Sequence, residues 1–201
     1  MILRFYKYIS NLLLPIIFFY FVFRFFFSKE DKHSLLKKFG FSKIKRPNGR
    51  LVWINGVSIG EAKSGITVAK EILKNDPSTT ILFTVSTLTA FKVVFEQKNN
   101  FIITFTPVDI SFIVKRFIKF WKPDLTIFME SEIWPNIISE LKNNNISFSI
   151  LNGRISTRSY FFWKKISFFS KEIFSKINYC FVQNPESKNR FECLGVTKVK
   201  L

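Results

Sequence analysis

A serine and a glutamate three residues apart stand in the segment around which this sequence is organised, residues 51–70. Ser58 and Glu61 follow an apolar run at 51–55 and a turn with two glycines, Gly56 and Gly60, and they precede a stretch with helical spacing. This pattern predicts a capping box, in which both side chains satisfy backbone N–H groups. A carboxylate at the same point is equally suited to act as a general base towards a hydroxyl group. The local pattern leaves both roles open.

Further charged side chains follow two later strands of the predicted fold. Glu130 and Glu132 come directly after the apolar run 125–129, and Arg154 follows the run 147–151. A helix dipole alone favours acidic residues at such positions, but carboxylates there are also able to bind sugar hydroxyls. Arg154 offers a planar fork to a carboxylate or phosphate, unless it is an ordinary solvated side chain. All these residues are expected at one edge of a sheet.

The elements that position these side chains alternate regularly along the chain. Strands are predicted at 51–55, 81–85, 101–105, 125–129, 147–151, 179–182 and 198–201, and helices at 61–73, 89–97, 110–121, from 133 onwards, 160–177 and 185–194. Alternating strands and helices are typical of an α/β fold with a doubly wound parallel sheet. In such a sheet ligands gather at the carboxyl ends of the strands.

The first 27 residues predict a membrane anchor. The run from Leu12 to Phe23 is apolar, and it is preceded by Arg4 and Lys7. It is short for a spanning helix, so either a short span or a segment embedded in one leaflet is expected. Residues 28–47 are a basic connector and residues 48–201 a single globular domain. The excess of basic residues after the anchor places this domain on the cytoplasmic side of the membrane.

The composition indicates an anionic partner. The net charge is +17, and 27 phenylalanines are too many for the interior of a domain of this size, so some are expected to face lipid. The chain shows no RNA-binding motif, and an anchor argues against a nucleic-acid partner. The two cysteines, Cys180 and Cys193, predict neither a zinc site nor a disulfide. The single histidine, His33, lies in the connector, so catalysis by histidine is not expected.

Five segments carry a resemblance to a known family. The segments are Val57-Ser58-Ile59-Gly60-Glu61, Pro107-Val108-Asp109, Pro123-Asp124, the run MESEIWPN at 129–136 and the run NGRIS at 152–156. In order and spacing they resemble the N-terminal half of the transferases of 3-deoxy-D-manno-octulosonic acid (Kdo). The run at 129–136 is long enough to be specific by itself. Small departures are Asn55-Gly56, where the family usually has His-Ala, and Gly153, where it often has Ala.

The resemblance implies a fold, an activity and a site. The family is made of two-domain GT-B glycosyltransferases, so residues 48–201 are expected to form a Rossmann-like acceptor-binding domain. The implied reaction transfers Kdo from CMP-Kdo to a lipid A precursor with inversion, without a metal or cofactor, at the cytoplasmic face of the inner membrane. The glutamate of the first motif, Glu61, is the implied base. The residues implied in acceptor binding or support of the base are Ser58, Gly60, Glu130, Glu132 and Arg154.

Two functional hypotheses follow from this resemblance. In the first, the chain is the acceptor-binding half of a Kdo transferase, expected to lack the CMP-Kdo-binding half and to need it for activity. In the second, it is a non-catalytic, membrane-bound module that binds an acidic glycolipid. An anionic membrane surface is an expected partner under both hypotheses.

Overall fold

A parallel sheet forms the centre of the computed structural model, which describes residues 2–27, 29–97, 101–130 and 132–201. Within these residues the sheet has seven strands, all paired in parallel in the order β3-β2-β1-β4-β5-β6-β7. They are β1 Leu51–Asn55, β2 Thr80–Val85, β3 Ile102–Phe105, β4 Leu125–Met129, β5 Ser147–Gly153, β6 Tyr179–Val182 and β7 Val199–Lys200. The predicted α/β fold with a doubly wound parallel sheet is confirmed.

The order in which successive strands join the sheet reverses between the two central strands, β1 and β4. β1 pairs with β2 on one side and with β4 on the other. Helix α4 (Ile59–Asn75) leads from β1 towards β2, whereas α7 (Pro135–Asn143) leads from β4 towards β5. The connections after β1 and β4 therefore diverge and leave a crevice between them. In open α/β sheets such a switch point is where ligands bind.

Helices cover both faces of the sheet, and the alternation along β1 shows why. Val52 and Ile54 belong to the core beneath α4 and α5 (Leu88–Glu96), whereas Leu51 and Trp53 belong to the core on the opposite face. Successive side chains of a strand point to opposite faces, so a strand buried on both sides is apolar throughout. The opposite face is covered by α6 (Ser111–Trp121), α7, α9 (Ser167–Phe174) and α10 (Pro185–Leu194).

The N-terminal segment forms two helices instead of the expected single one. α1 (Ile2–Leu12) and α2 (Leu14–Phe26) are bent by 48° at Leu13. Pro15 in the first turn of α2 explains the break, because its ring is incompatible with a continuous helix. Within the described residues neither helix has the length and apolar character to cross a membrane alone, and only the bent pair meets both criteria together.

The first helix lies against the domain, where Leu3 is part of the core that includes residues of α6 and α9. Tyr6 is half-buried against the same core, and the other apolar side chains of α1 are exposed, including Phe5, Tyr8 and Leu12. α1 therefore has one face on the protein and another left open.

Two other elements differ from the sequence-based expectation. The helix expected over 160–177 is broken at Ile166 into α8 (Thr157–Lys165) and α9. The break brings the ring of Trp163 to 5.4 Å from that of Phe174, which is buried in the core. The connector contains α3 (Lys32–Lys38), whose Lys38 carbonyl accepts a hydrogen bond from the Val108 amide at 2.9 Å. The connector is thus folded onto the domain.

The cysteines and the histidine lie away from the switch point. Cys180 is buried in β6, and burial raises the pKa of its thiol to about 12. A buried neutral thiol is chemically inert. Cys193 is exposed and free on α10, and His33 is exposed on α3.

Gly65 tests how closely α4 approaches the sheet. A Cβ atom at this position would lie 2.8 Å from Cζ of Phe83 and 3.2 Å from Cγ2 of Ile54, and both residues are fully buried. We expect Gly65→Val to lower the free energy of unfolding by about 1–3 kcal/mol, because the overpacked core has to shift. Urea unfolding of the full chain in mild detergent measures this loss.

Gly60 on the same helix supplies the matched control. A Cβ atom there would meet only Oγ of Ser58, at 3.9 Å. Gly60→Ala is therefore expected to change the free energy of unfolding by less than about 0.5 kcal/mol. Equal losses for the two variants would show that α4 does not need the close approach at Gly65.

Candidate functional site

The turn between β1 and α4 needs a glycine at its first position. A Cβ atom on Gly56 would lie 2.9 Å from the backbone nitrogen of Ala62 and equally close to the carbonyl carbon of Glu61. These are backbone atoms of the first helical turn and have no freedom to move aside. The chain at Gly56 thus passes directly beside the start of α4, and this holds Glu61 next to the end of β1.

Ser58 and Glu61 form half of the predicted capping box. Oγ of Ser58 accepts a hydrogen bond from the Glu61 amide at 3.2 Å. In a capping box the glutamate accepts a hydrogen bond from the amide of the N-cap residue, which here is Ser58. Oε2 of Glu61 instead accepts from the amide of the preceding residue, Val57, at 2.8 Å. The hydroxyl and the amide of Ser58 also lie close enough to the Glu61 carboxylate to lower its pKa. Capping therefore orients the carboxylate.

The surroundings of Glu61 favour its protonated form. Its side chain is only 8% exposed. Burial raises the pKa of Glu61, the charge of Glu130 adds to the rise, and the hydrogen bond from Val57 opposes it. A carboxylate whose pKa is raised holds a proton more tightly, which suits a general base that must remove one from a hydroxyl group.

Glu130 directly follows β4 and has a backbone conformation that is rare for its residue type. Its φ angle is +58°, and its amide donates to the Leu151 carbonyl at 2.9 Å. Asn152, next to it in the register of β4 and β5, has φ of +59°. Left-handed conformations at non-glycine residues cost of order 1–3 kcal/mol each and cluster at functional sites. Two such residues side by side mark this edge as specialised.

Glu132 brings a third carboxylate to the same place. Glu132 is half-buried, and burial raises its pKa to about 7, followed in effect by the charge of Glu61 and, more weakly, that of Glu130. The charges of Glu61 and Glu130 act on Glu132, and that of Glu130 acts on Glu61, so the three carboxylates lie near one another. Ser131, between two of them, lies outside the described residues. We call these three glutamates the carboxylate cluster.

The other predicted site residues lie at the same edge with less contact. Arg154 follows the end of β5, is exposed, and forms no hydrogen bond or ion pair with any residue that the structure describes. Ser58 and Gly60 are exposed in the first turn of α4. The structure thus brings the three glutamates together and leaves the Arg154 guanidinium apart from them.

Asp109 is a buried anchor whose role the sequence did not predict, although the Pro107-Val108-Asp109 motif was noted. Its carboxylate accepts hydrogen bonds from the amides of Asn136 at 3.1 Å and Ile137 at 2.9 Å, and from the Tyr6 hydroxyl at 3.0 Å. Burial raises the pKa of Asp109 to about 6, whereas these hydrogen bonds lower it. Asp109 therefore caps α7 from a distant point of the sequence.

A cavity of about 280 Å³ opens between α2 and the segments that follow β2 and β3 at the carboxyl edge of the sheet, and Glu61, Glu130 and Glu132 are not part of its lining. One wall holds an ionic triad in which the buried Glu30 accepts from Arg24 at 3.1 Å and from Lys38 at 2.5 Å. The rest of the lining includes hydroxyl groups, aromatic rings and the carboxylate of Asp109. Its residues include Tyr20, Phe21, Ser86, Thr87, Thr106, Asp109 and Trp134. Such a mixture suits a ligand rich in hydroxyl groups better than a simple anion.

No metal site is evident in the part of the chain that the structure describes. There, no group of three or more His, Cys, Asp or Glu side chains has an arrangement able to hold an ion. The glutamates instead influence one another through their charges, and the pKa values of Glu61 and Glu132 are raised. The arrangement is chemically equipped to accept protons and hydrogen bonds from hydroxyl groups.

The raised pKa of Glu132 predicts a pH-dependent contribution to stability. The folded value is about 7 against an ordinary value of 4.5, so the folded state favours the protonated form, and this stabilisation is lost as pH rises from 4.5 to about 7. Glu132→Gln keeps a neutral side chain throughout. We expect the free energy of unfolding of this variant to equal that of the wild type near pH 4 and to exceed it by about 2 kcal/mol near pH 8. Solvent screening keeps the difference below what the full pKa shift would give. Urea unfolding across this range measures the difference.

Glu96→Gln is the control, because Glu96 is exposed on α5 and makes no hydrogen bond with a described residue. Its difference from the wild type is expected to be small and independent of pH. If Glu132→Gln gave a curve parallel to that of the wild type, the carboxylate of Glu132 would not be buried in the cluster.

Comparison with known proteins identifies the family. The model of the N-terminal glycosyltransferase domain described as "3-Deoxy-D-manno-octulosonic-acid transferase (kdotransferase)" matches residues 33–201. A 3-deoxy-D-manno-octulosonic acid transferase of Rickettsia bellii is 32% identical over 197 residues, which are 97% of this chain and 47% of the relative. One of Haemophilus influenzae is 31% identical over 87% of this chain and 41% of the relative. A probable mitochondrial one of Arabidopsis thaliana is 36% identical over 63% and 29%.

The chain spans less than half the length of each of these relatives. The match nevertheless covers every strand of the sheet and all three members of the carboxylate cluster. This chain belongs to the 3-deoxy-D-manno-octulosonic acid transferase family, as the resemblance predicted, and corresponds to the N-terminal half of its relatives.

Proposed function

We propose that this chain is the acceptor-binding half of a glycosyltransferase that transfers Kdo from CMP-Kdo to a lipid A precursor in lipopolysaccharide biosynthesis. The observation that carries the proposal is the convergence of three glutamates at the switch point between β1 and β4. Hydroxyl groups of a sugar acceptor are the natural partners of such a cluster. The family membership supplies the class of reaction.

Glu61 is the base in this proposal. Its carboxylate takes the proton of an acceptor hydroxyl while the hydroxyl oxygen forms a bond to the anomeric carbon of Kdo. The bond between that carbon and the phosphate oxygen of CMP breaks, and CMP leaves with the electron pair. Attack from the side opposite to CMP inverts the configuration, and the step uses no metal ion. The buried, oriented position of Glu61 supports this role.

The remaining site residues bind the acceptor or support the base. Glu130 and Glu132 accept hydrogen bonds from acceptor hydroxyls, and the charge of Glu130 adds to the rise that burial produces in the pKa of Glu61. Arg154 is exposed at the same edge and suits an anionic group of the acceptor. Ser58 and Gly60 shape the turn that presents Glu61. CMP-Kdo binding is assigned to a second domain, in another part of the protein or in a separate chain.

The exchange Glu61→Gln separates catalysis from capping. A glutamine oxygen is still able to accept from Val57 but not to take a proton, so we expect transfer to fall by about 10²- to 10⁴-fold. Folding is expected to be retained. The measurement is Kdo transfer from CMP-Kdo to a lipid A precursor by this chain joined to the remaining part of the Rickettsia bellii relative.

Glu71→Gln on the solvent side of α4 serves as the control and is expected to keep full activity. Full activity of Glu61→Gln would restrict Glu61 to capping. If the joined wild-type protein bound the lipid A precursor but transferred nothing, the alternative of a non-catalytic module that binds acidic glycolipids would replace the enzyme.

We also propose that the chain lies on the cytoplasmic face of the inner membrane. Exposed aromatic side chains continue from α1 and α2 to α6, where Phe112 and Phe120 accompany three exposed basic residues. A surface of aromatic and basic side chains suits an anionic bilayer. The contact of α1 with α6 supports one continuous membrane-facing surface.

Neutralising two of those bases tests the membrane surface. Lys115 and Lys119 are exposed on α6. If each contributes about 1 kcal/mol near an anionic surface, the double exchange to glutamine should weaken binding to phosphatidylglycerol-containing vesicles roughly 30-fold, with little change on pure phosphatidylcholine. Vesicle co-sedimentation measures both.

The matched control removes the same charge from the opposite face of the sheet. Lys63 and Lys70 are exposed on α4. Their double exchange to glutamine should leave binding unchanged. Equal losses for the two double variants would contradict a membrane surface centred on α6.

A further inference from the structure

We infer that helix α1 is a positioning element of the carboxylate cluster: Tyr6 and Ser10 hold the start of α7 through Asp109 and Asn136, and so fix Glu132. The inference rests on the proposed function only in taking the cluster as the acceptor site. It assigns to the membrane-associated N-terminus a role beyond attachment.

Two polar bridges join α1 to the same point of the domain. The Tyr6 hydroxyl donates to Oδ2 of Asp109 at 3.0 Å. Nδ2 of Asn136 donates to Oγ of Ser10 at 3.1 Å and also to the Asp109 carbonyl. Ser10, Asp109 and Asn136 are all at least 93% buried. Because buried polar groups without partners are costly, α1 and the start of α7 are held in one arrangement.

The start of α7 has no capping side chain of its own. Its N-cap residue is Trp134, which makes no side-chain capping hydrogen bond, and Pro135 follows it. The exposed N–H groups of a helix start need acceptors, and here the Asp109 carboxylate accepts from Asn136 and Ile137. The location of α7 is thus set by a residue that is itself bonded to α1.

Glu132 is only three positions before Pro135. A chain of this length spans at most about 10 Å, so the position of Glu132 follows that of the α7 start. Trp134 lies between them and lines the cavity beside α2. A displacement of α1 is therefore passed to Glu132 through Asp109, Asn136 and this short segment.

The alternative is that these hydrogen bonds merely keep α1 on the domain. In that case their loss would lower stability without changing the environment of Glu132. The two cases differ in a property of Glu132 itself, its titration, which depends on its burial and on the facing charges of Glu61 and Glu130.

The decisive experiment is a pH titration of Glu132 in the full chain in detergent micelles, followed by NMR of the ¹³C-labelled glutamate carboxyl groups. Glu132→Gln assigns the signal. We expect a pKa of about 7 in the wild type and a fall towards the ordinary value of 4.5 in Tyr6→Phe, because a loosened α7 start exposes Glu132 to water.

Tyr8→Phe is the matched control. Tyr8 is on the same helix and 75% exposed, and it makes no hydrogen bond with a described residue. Its variant should titrate like the wild type. Ser10→Ala removes the second bridge and provides an independent variant if Tyr6→Phe fails to fold; it should lower the pKa of Glu132 in the same direction.

An unchanged titration of Glu132 in a folded Tyr6→Phe or Ser10→Ala protein would overturn the inference. An equal fall in Tyr8→Phe would also overturn it, since the effect would then not depend on the bridges. The titration needs neither CMP-Kdo nor a second domain. The outcome is therefore independent of whether the chain takes part in Kdo transfer.

Discussion

The pairing of β1 with β4 is the constraint on which the site depends. Because β1 lies between β2 and β4, the segments that leave its carboxyl end and that of β4 run in opposite directions. The opening between them receives Glu61 from one side and Glu130 and Glu132 from the other. The other features of the site position side chains around this opening. They include the tight turn at Gly56 and the left-handed backbone of Glu130 and Asn152.

Gathering three carboxylates works against folding, since like charges at close range repel one another. The structure limits this cost in two ways. The Val57 amide donates to Glu61, and burial favours a retained proton on Glu61 and Glu132. A strained backbone at Glu130 adds a further cost. Sites that carry such costs are usually kept for function, and a base for a sugar hydroxyl needs a carboxylate with elevated proton affinity.

Much of the fold was open to prediction because strands buried on both faces produce continuous apolar runs between turn residues. The positions of Glu61, Glu130 and Glu132 at strand ends were predicted for the same reason. Asp109 was not understood, because its partners Tyr6 and Asn136 are 103 and 27 residues away and no local pattern reveals them. The bend at Leu13 had a local signal in Pro15, which the surrounding apolar run concealed. For Arg154 the sequence left open an anionic partner or simple solvation, and its exposed position does not decide between them.

The arrangement of α1 bears on how the protein can be prepared. Helix α1 contributes Leu3 to the main core, and its Tyr6 hydroxyl donates a hydrogen bond to the buried Asp109 carboxylate. Deleting residues 1–27 to obtain a more soluble domain would uncover the apolar outer sides of α6 and α9 and would leave Asp109 and Asn136 short of partners. Such a shortened protein would retain its sheet while its ligand affinity and proton affinity no longer represent the intact chain. Removing α1 and α2 would therefore make the protein more soluble but would alter the site that is to be studied.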